Sequence, residues 1–132
     1  MPKALLVVPH QQQQSDGDCL AACAAMALAH LGRSIDYSRL LNLLNVKTYG
    51  APAGNIRHLA SLDLNVVISK TDMAGLEAML RQGQPMIVFV RTGELPYWTH
   101  STDHALLVIG YDESHVYVND PARAEAPIAV PH

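Results

Sequence analysis

The chain has little of what most specialised function classes require. Of 132 residues only 2 are cysteine, 1 is tryptophan and 1 is phenylalanine, and just 16% are charged. Two cysteines cannot build a disulfide framework or a four-thiolate zinc site. Cys19 and Cys23 stand four apart on one expected helix, sharing a face but with Cα atoms near the upper limit for a disulfide. Both read as free thiols, which suits a reducing compartment and a cytoplasmic location. The 9 basic residues are scattered singly in a chain of net charge −3, so no basic patch for nucleic acid is present. No apolar run approaches the roughly 18–20 residues needed to span a bilayer. Leu5-Leu6-Val7-Val8 is too short for a signal-peptide core of about 7–15 residues. Cys-x2-Cys and His-Glu-x2-His patterns are missing, and His100 and His104, four apart, fall in an expected loop and not on a helix. No metal and no cofactor are expected.

What is there is an ordinary globular composition, 49% apolar, at a length that fits one domain over residues 1–132. The sequence is organised around Gln11 to Leu31. Four glutamines lead into a turn at Ser15-Asp16-Gly17-Asp18. A helix rich in alanine, leucine and methionine then runs from Asp18 to Leu31, with Gly32 as its C-cap. It is apolar nearly all round, which predicts burial at the centre of the domain. Leu5–Val8 before it reads as a short strand. Asp36 is placed to cap a helix over Tyr37 to Leu44, and Tyr49-Gly50-Ala51-Pro52 marks a loop. Asn55 to Leu62 fits a third helix presenting Ile56, Leu59 and Leu62. Val66-Val67-Ile68 reads as a strand, and Asp72 caps a helix from Met73 to Arg81 that Gly83 ends. Met86 to Val90 and Ala105 to Ile109 are continuous apolar runs, hence buried strands. Gly93 to Asp103 is a loop, residues 110–114 a turn, and Val116 to Val118 a strand broken by Asp120-Pro121. Helices followed by antiparallel strands give an α+β domain.

The chemistry begins with Cys19. A cysteine in the first turn of a helix lies among orphan backbone N–H groups at the positive end of the dipole, which favours its thiolate. A thiolate nucleophile needs a base, and the base needs an orienting group. If the strands on either side of the 110–114 turn pair, His104 and Asp120 meet at the outer ends of the hairpin, with the carboxylate placed to fix the imidazole tautomer. A glutamine upstream of the helix, Gln13 or Gln14, can join the Cys19 backbone N–H in stabilising an oxyanion. Cys23 reads as a small core hydrophobe. Tyr49, Tyr97 and Trp98 sit in loops, as a peptide-binding wall or as caps on the core.

Gln-x5-Cys before an alanine- and methionine-rich helix (QQSDGDCLAACAAMALAHLG, 13–32), then the strand QPMIVFV and the segment HALLVIGYDESHVYVNDPA (104–122), resembles peptidase family C39. These are papain-like cysteine peptidases best known for cleaving double-glycine leader peptides of bacteriocins, often as domains of ABC transporters. The resemblance implies a papain-like fold, with the cysteine helix packed on an antiparallel sheet. It implies Cys19 as nucleophile, His104 as general base and acid, Asp120 as its orienter and Gln13 as oxyanion donor. It further implies a peptide or protein substrate and a transporter or secretion partner acting in trans. Leu20 follows the cysteine where the family usually has glycine, a difference that bears on leader preference more than on the chemistry. The family also continues past Asp-Pro with further strand, and none is read here between Pro121 and His132. A catalytically silent module that binds a leader peptide in the same cleft, and a toxin or effector on this fold, are the alternatives. Retention of all three of Cys19, His104 and Asp120 speaks for the enzyme.

Overall fold

Alanine decides where the first long helix sits. Helix α1 (Cys19–His30) follows the short strand β1 (Ala4–Leu5), and Leu20, Ala21, Ala22, Cys23, Ala24, Met26 and Leu28 along it are all buried. The small side chains let packing partners approach on two sides. Leu20, Ala21, Ala24 and Leu28 meet a cluster with Leu40, Leu44, Ile56, Leu59 and Leu62. Cys23 and Met26 meet Ala105, Leu107 and Ile109. The structure, a computed structural model, describes residues 3–15, 17–47 and 50–132. Asp16 and Tyr49, assigned above to a turn and a loop, lie outside the described residues.

The chain order is β1, α1, α2 (Tyr37–Leu43), a 3-10 helix (Ala53–Leu62), α3 (Met73–Arg81), β2 (Met86–Arg91), β3 (Asp103–Tyr111), β4 (His115–Asn119) and β5 (Ile128–Pro131). All pairings in the five-stranded sheet are antiparallel, and β3 is its hub. It holds β1 and β2 along one edge and β4 along the other, with β5 outside β4. Its Ala105, Leu107 and Ile109 face α1. Leu106 and Val108 pack with Leu80 of α3, Val118 and Val130. A strand covered on both faces needs an unbroken apolar run, which is why its period-2 alternation is absent from the sequence. The mixed architecture is the expected α+β arrangement, with the cysteine helix packed on an antiparallel sheet.

Several local expectations change in detail. The Asn55–Leu62 helix is 3-10 in type and starts at Ala53. Its buried residues Ile56, Leu59 and Leu62 are spaced by three, and three residues per turn is the winding that keeps such a set on one line facing α1. Val66–Ile68 is not a strand. Val67 is 74% exposed and Ile68 42%, so β-branched residues here have no sheet edge to join, and propensity alone makes no ladder. The Leu5–Val8 strand is shorter, pairing regularly only at Ala4 and Leu5. Asp36 stands at the N-cap of α2 without a side-chain capping bond, whereas Asp72 accepts from the Gly75 amide at 2.9 Å as expected. Gly32, with φ of +76°, closes α1. Its amide donates to Ala29 and that of Arg33 to Leu28, the paired bonds of a Schellman motif. Strand β5 lies beyond Asp120-Pro121, where the sequence pattern alone gives no strand. Among the described residues no helix is long and apolar enough to cross a membrane.

Candidate active site

Cys19 is the first residue of α1, half-buried where the helix end meets the start of β3. Burial would raise its pKa. A hydrogen bond with His104, the Ala105 backbone, the His104 charge and the Leu20 backbone together pull the thiol below its ordinary value. Cys23, one turn on, is fully buried. Burial first, then the negative charge of Cys19 and Asp120, pushes its thiol well up. The same element thus carries one thiol tuned toward ionisation and one locked as a core hydrophobe.

The β3–β4 hairpin brings the other two groups together as the strand reading anticipated. Leu107 pairs with Asn119 at the end of the β3–β4 ladder, so Asp120, the next residue, leaves β4 close to the start of β3, where His104 stands. His104 Nε2 donates to Asp120 Oδ1 at 2.7 Å, and their side chains are only 4% and 0% exposed. With Nε2 committed to the carboxylate, Nδ1 is the nitrogen left for the sulfur of Cys19. Burial would lower the imidazole pKa, but the Asp120 bond, the Cys19 bond and both negative charges raise it to about 9. Asp120 is pushed up by burial and pulled down by four donors (His104, the Ala122 amide, Tyr97 and Trp98), ending at about 2. The arrangement favours a thiolate beside an imidazolium over a neutral pair.

Gln13 and Gln14 both line the same cleft as Cys19 and His104; Gln13 is half-buried and Gln14 exposed. The Gln13 backbone N–H donates to the Pro121 carbonyl at 2.7 Å, which ties the glutamine segment to the Asp-Pro corner. All four residues expected to carry the chemistry therefore gather in one place. The cleft holds about 930 Å³, with Ala51–Ala53 on one wall and Phe89, Val90 and Trp98 among the other lining residues.

Of the three loop aromatics, Tyr97 and Trp98 pack against the core of the sheet, Trp98 also lines the cleft, and both make a further contact. Tyr97 OH and Trp98 Nε1 both donate to Asp120 Oδ2, at 2.7 and 3.0 Å. The Trp98 ring also packs against His104 at a tilt, with centroids 5.0 Å and planes 57° apart. Arg123 braces both rings, 5.4 and 5.1 Å from their centroids, and donates to the Tyr97 carbonyl. Their only signal in the sequence was two adjacent aromatics with polar tips in a loop leading to the histidine. His100 is exposed and meets Trp98 edge-on. Among the described residues no group of three histidines, cysteines or carboxylates could hold a metal ion.

Comparison with known families places this geometry. Residues 5–130 match the family model described as Peptidase_C39 like family. The chain belongs to that family. Comparison with curated proteins gives no match. Among solved structures, this C39-like chain is similar to one from Bacillus anthracis provisionally named a C39-like peptidase. The two are 20% identical with a TM-score of 0.80, over 98% of this chain and 88% of that one. It is also similar to a double glycine motif protease from an AMS/PCAT transporter in complex with the leader peptide. That pair is 19% identical with a TM-score of 0.58, over 98% of this chain and 83% of the other. The C39-like fold is common to all three.

Proposed function

We propose that this C39-like chain, as one domain over residues 1–132, is a cysteine peptidase that hydrolyses peptide bonds through Cys19, His104 and Asp120, with Gln13 as an oxyanion donor. The observation that carries the reading is the buried 2.7 Å bond from His104 to Asp120, with the Cys19 thiol held below its ordinary pKa by the same histidine. In this reading the Cys19 thiolate attacks the scissile carbonyl, and the Cys19 backbone N–H and the Gln13 side-chain amide receive the developing oxyanion. His104, protonated at Nδ1, gives that proton to the leaving amine. Water then opens the thioester with His104 as its base, returning thiolate and imidazolium.

The leader peptide bound by the double glycine protease supports peptides as the substrate class, with small residues before the cleaved bond and a transporter or secretion partner in trans. Synthetic leader-like peptides, incubated with the wild type and with Cys19→Ala and read by mass spectrometry, test this. Cleavage by the wild type alone is expected. Peptide binding without cleavage by the wild type would contradict hydrolysis and favour a silent binding module.

A further inference from the structure

The Asp120 carboxylate is held from both ends. Oδ1 accepts from His104 Nε2 at 2.7 Å and from the Ala122 amide at 2.9 Å. Oδ2 accepts from Tyr97 OH at 2.7 Å and Trp98 Nε1 at 3.0 Å. The terminal torsion of an aspartate is broad and roughly two-fold, so contacts on one oxygen alone leave the carboxylate plane free to swing. Donors on the second oxygen stop that swing. They also take a share of a charge that, at 0% exposure, has no water to share it with.

We propose that Tyr97 and Trp98 are positioning residues for the Cys19–His104 pair, acting through Asp120 by fixing the plane and dividing the charge of its carboxylate. The proposal rests on the peptidase reading. Trp98 acts twice, since the ring whose N–H holds Asp120 also packs against the imidazole that Asp120 orients. Arg123 keeps both aromatics in place from the far side of the Asp-Pro corner. Burial first, and then the bond to Asp120 and its charge, raises the Tyr97 phenol well above its ordinary pKa, so it stays a donor wherever Cys19 and His104 titrate.

Removing one donor from Oδ2 leaves more carboxylate charge for His104, which then holds its second proton more tightly. The high-pH inflection in Cys19 reactivity, set by loss of the imidazolium proton, should therefore move up. Iodoacetamide alkylation of Cys19 across pH 5–10 reads this without a peptide substrate, in the wild type, Tyr97→Phe and Trp98→Phe. Tyr97→Phe removes only the hydroxyl, Trp98→Phe removes the N–H together with part of the ring against His104, and two variants keep the test alive if one does not fold. The expected result is an upward shift of at least about 0.5 pH unit in each. Profiles that superimpose on the wild type, or move down, overturn the proposal, because a structural role alone would lower thermal stability and leave the inflection in place. A wild type whose Cys19 reacts as an ordinary thiol would instead sink the peptidase reading, so the two failures are distinguishable.

Discussion

The backbone N–H of Gln13 donates to the carbonyl of Pro121 at 2.7 Å. This bond joins the segment that leads to the nucleophile with the corner that carries the orienting carboxylate. A second bond three residues upstream runs in parallel, His10 Nε2 donating to the Arg123 carbonyl at 2.6 Å. Both ends of the candidate site are thus laced by backbone acceptors, and the position of Gln13 depends on the Asp-Pro turn as much as on its own loop.

Removing the outer lace should loosen Gln13 without touching the reacting atoms. His10→Ala is expected to cost about 0.5–1.5 kcal/mol of stability, the net worth of one such bond. Urea denaturation measures that loss, and peptide turnover should fall by a smaller factor than in Gln13→Ala. Equal turnover losses would place His10 in the chemistry itself.

Asp120→Asn tests whether the carboxylate charge or only its shape is used. All four partners of Asp120 donate to it, so an amide nitrogen at either position sets donor against donor. A fall in turnover of roughly 10²–10⁴ is expected, as when a buried carboxylate can no longer fix a catalytic imidazole. Unchanged turnover would remove Asp120 from the site.

The same pair shapes stability against pH. Asp120 titrates near 2 in the fold against an ordinary 3.8, so its contribution is present above 3.8 and lost as pH falls through 2. His104 is raised from 6.5 to about 9, so its contribution is complete below 6.5 and lost as pH rises through 9. Cys19, lowered from 9.0, works against that loss, gaining stability as pH rises from its folded value toward 9.0. In Cys19→Ala the opposing contribution is gone. So is the share of the His104 rise that the Cys19 bond and charge supply, and the remaining alkaline loss, held by Asp120, ends below the wild-type value. The thermal midpoint of this variant should be flat between about pH 4 and 6.5 and decline on both sides. The alkaline decline should disappear when His104→Gln is added, and its persistence would assign it to another group.

Gly110 marks a close approach of backbone to backbone. A Cβ there would lie 2.5 Å from the Ala4 carbonyl oxygen, beside the irregularity in the β3–β4 register between Val108 and Gly110. Gly110→Ala should displace β1 and cost about 1–3 kcal/mol, the usual range for overpacking. Cys19 reactivity should persist, since β1 pairs at the opposite end of β3 from His104.

The parts legible in the sequence were those fixed by local pattern. The alanine-rich helix announces its burial through composition, and the hairpin follows from two apolar runs about a turn, which alone places His104 against Asp120. Strand β5 was hidden because Ile128–Pro131 is four residues long, with proline at 127 and 131, a composition tolerated at a sheet edge but carrying no strand signal. Val66–Ile68 misled for the opposite reason, strand residues without a partner edge. The parts played by Tyr97 and Trp98 could not be read from spacing. They depend on the fold of the loop back onto itself, where the Thr92 amide donates to the Thr102 carbonyl and Thr92 Oγ1 to that of His100. Only that closure swings the two aromatics over the Asp-Pro corner.

The central claim is that Cys19 and His104 form an activated pair. Its most direct test is the iodoacetamide alkylation rate of Cys19 across pH 4–9, read by peptide mass spectrometry with buried Cys23 as internal control. The account predicts fast labelling of Cys19 well below the ordinary thiol pKa of about 8.5, abolished in His104→Ala, while Cys23 stays protected. Labelling of Cys19 no faster than that of an ordinary thiol, or unchanged by His104→Ala, would contradict it.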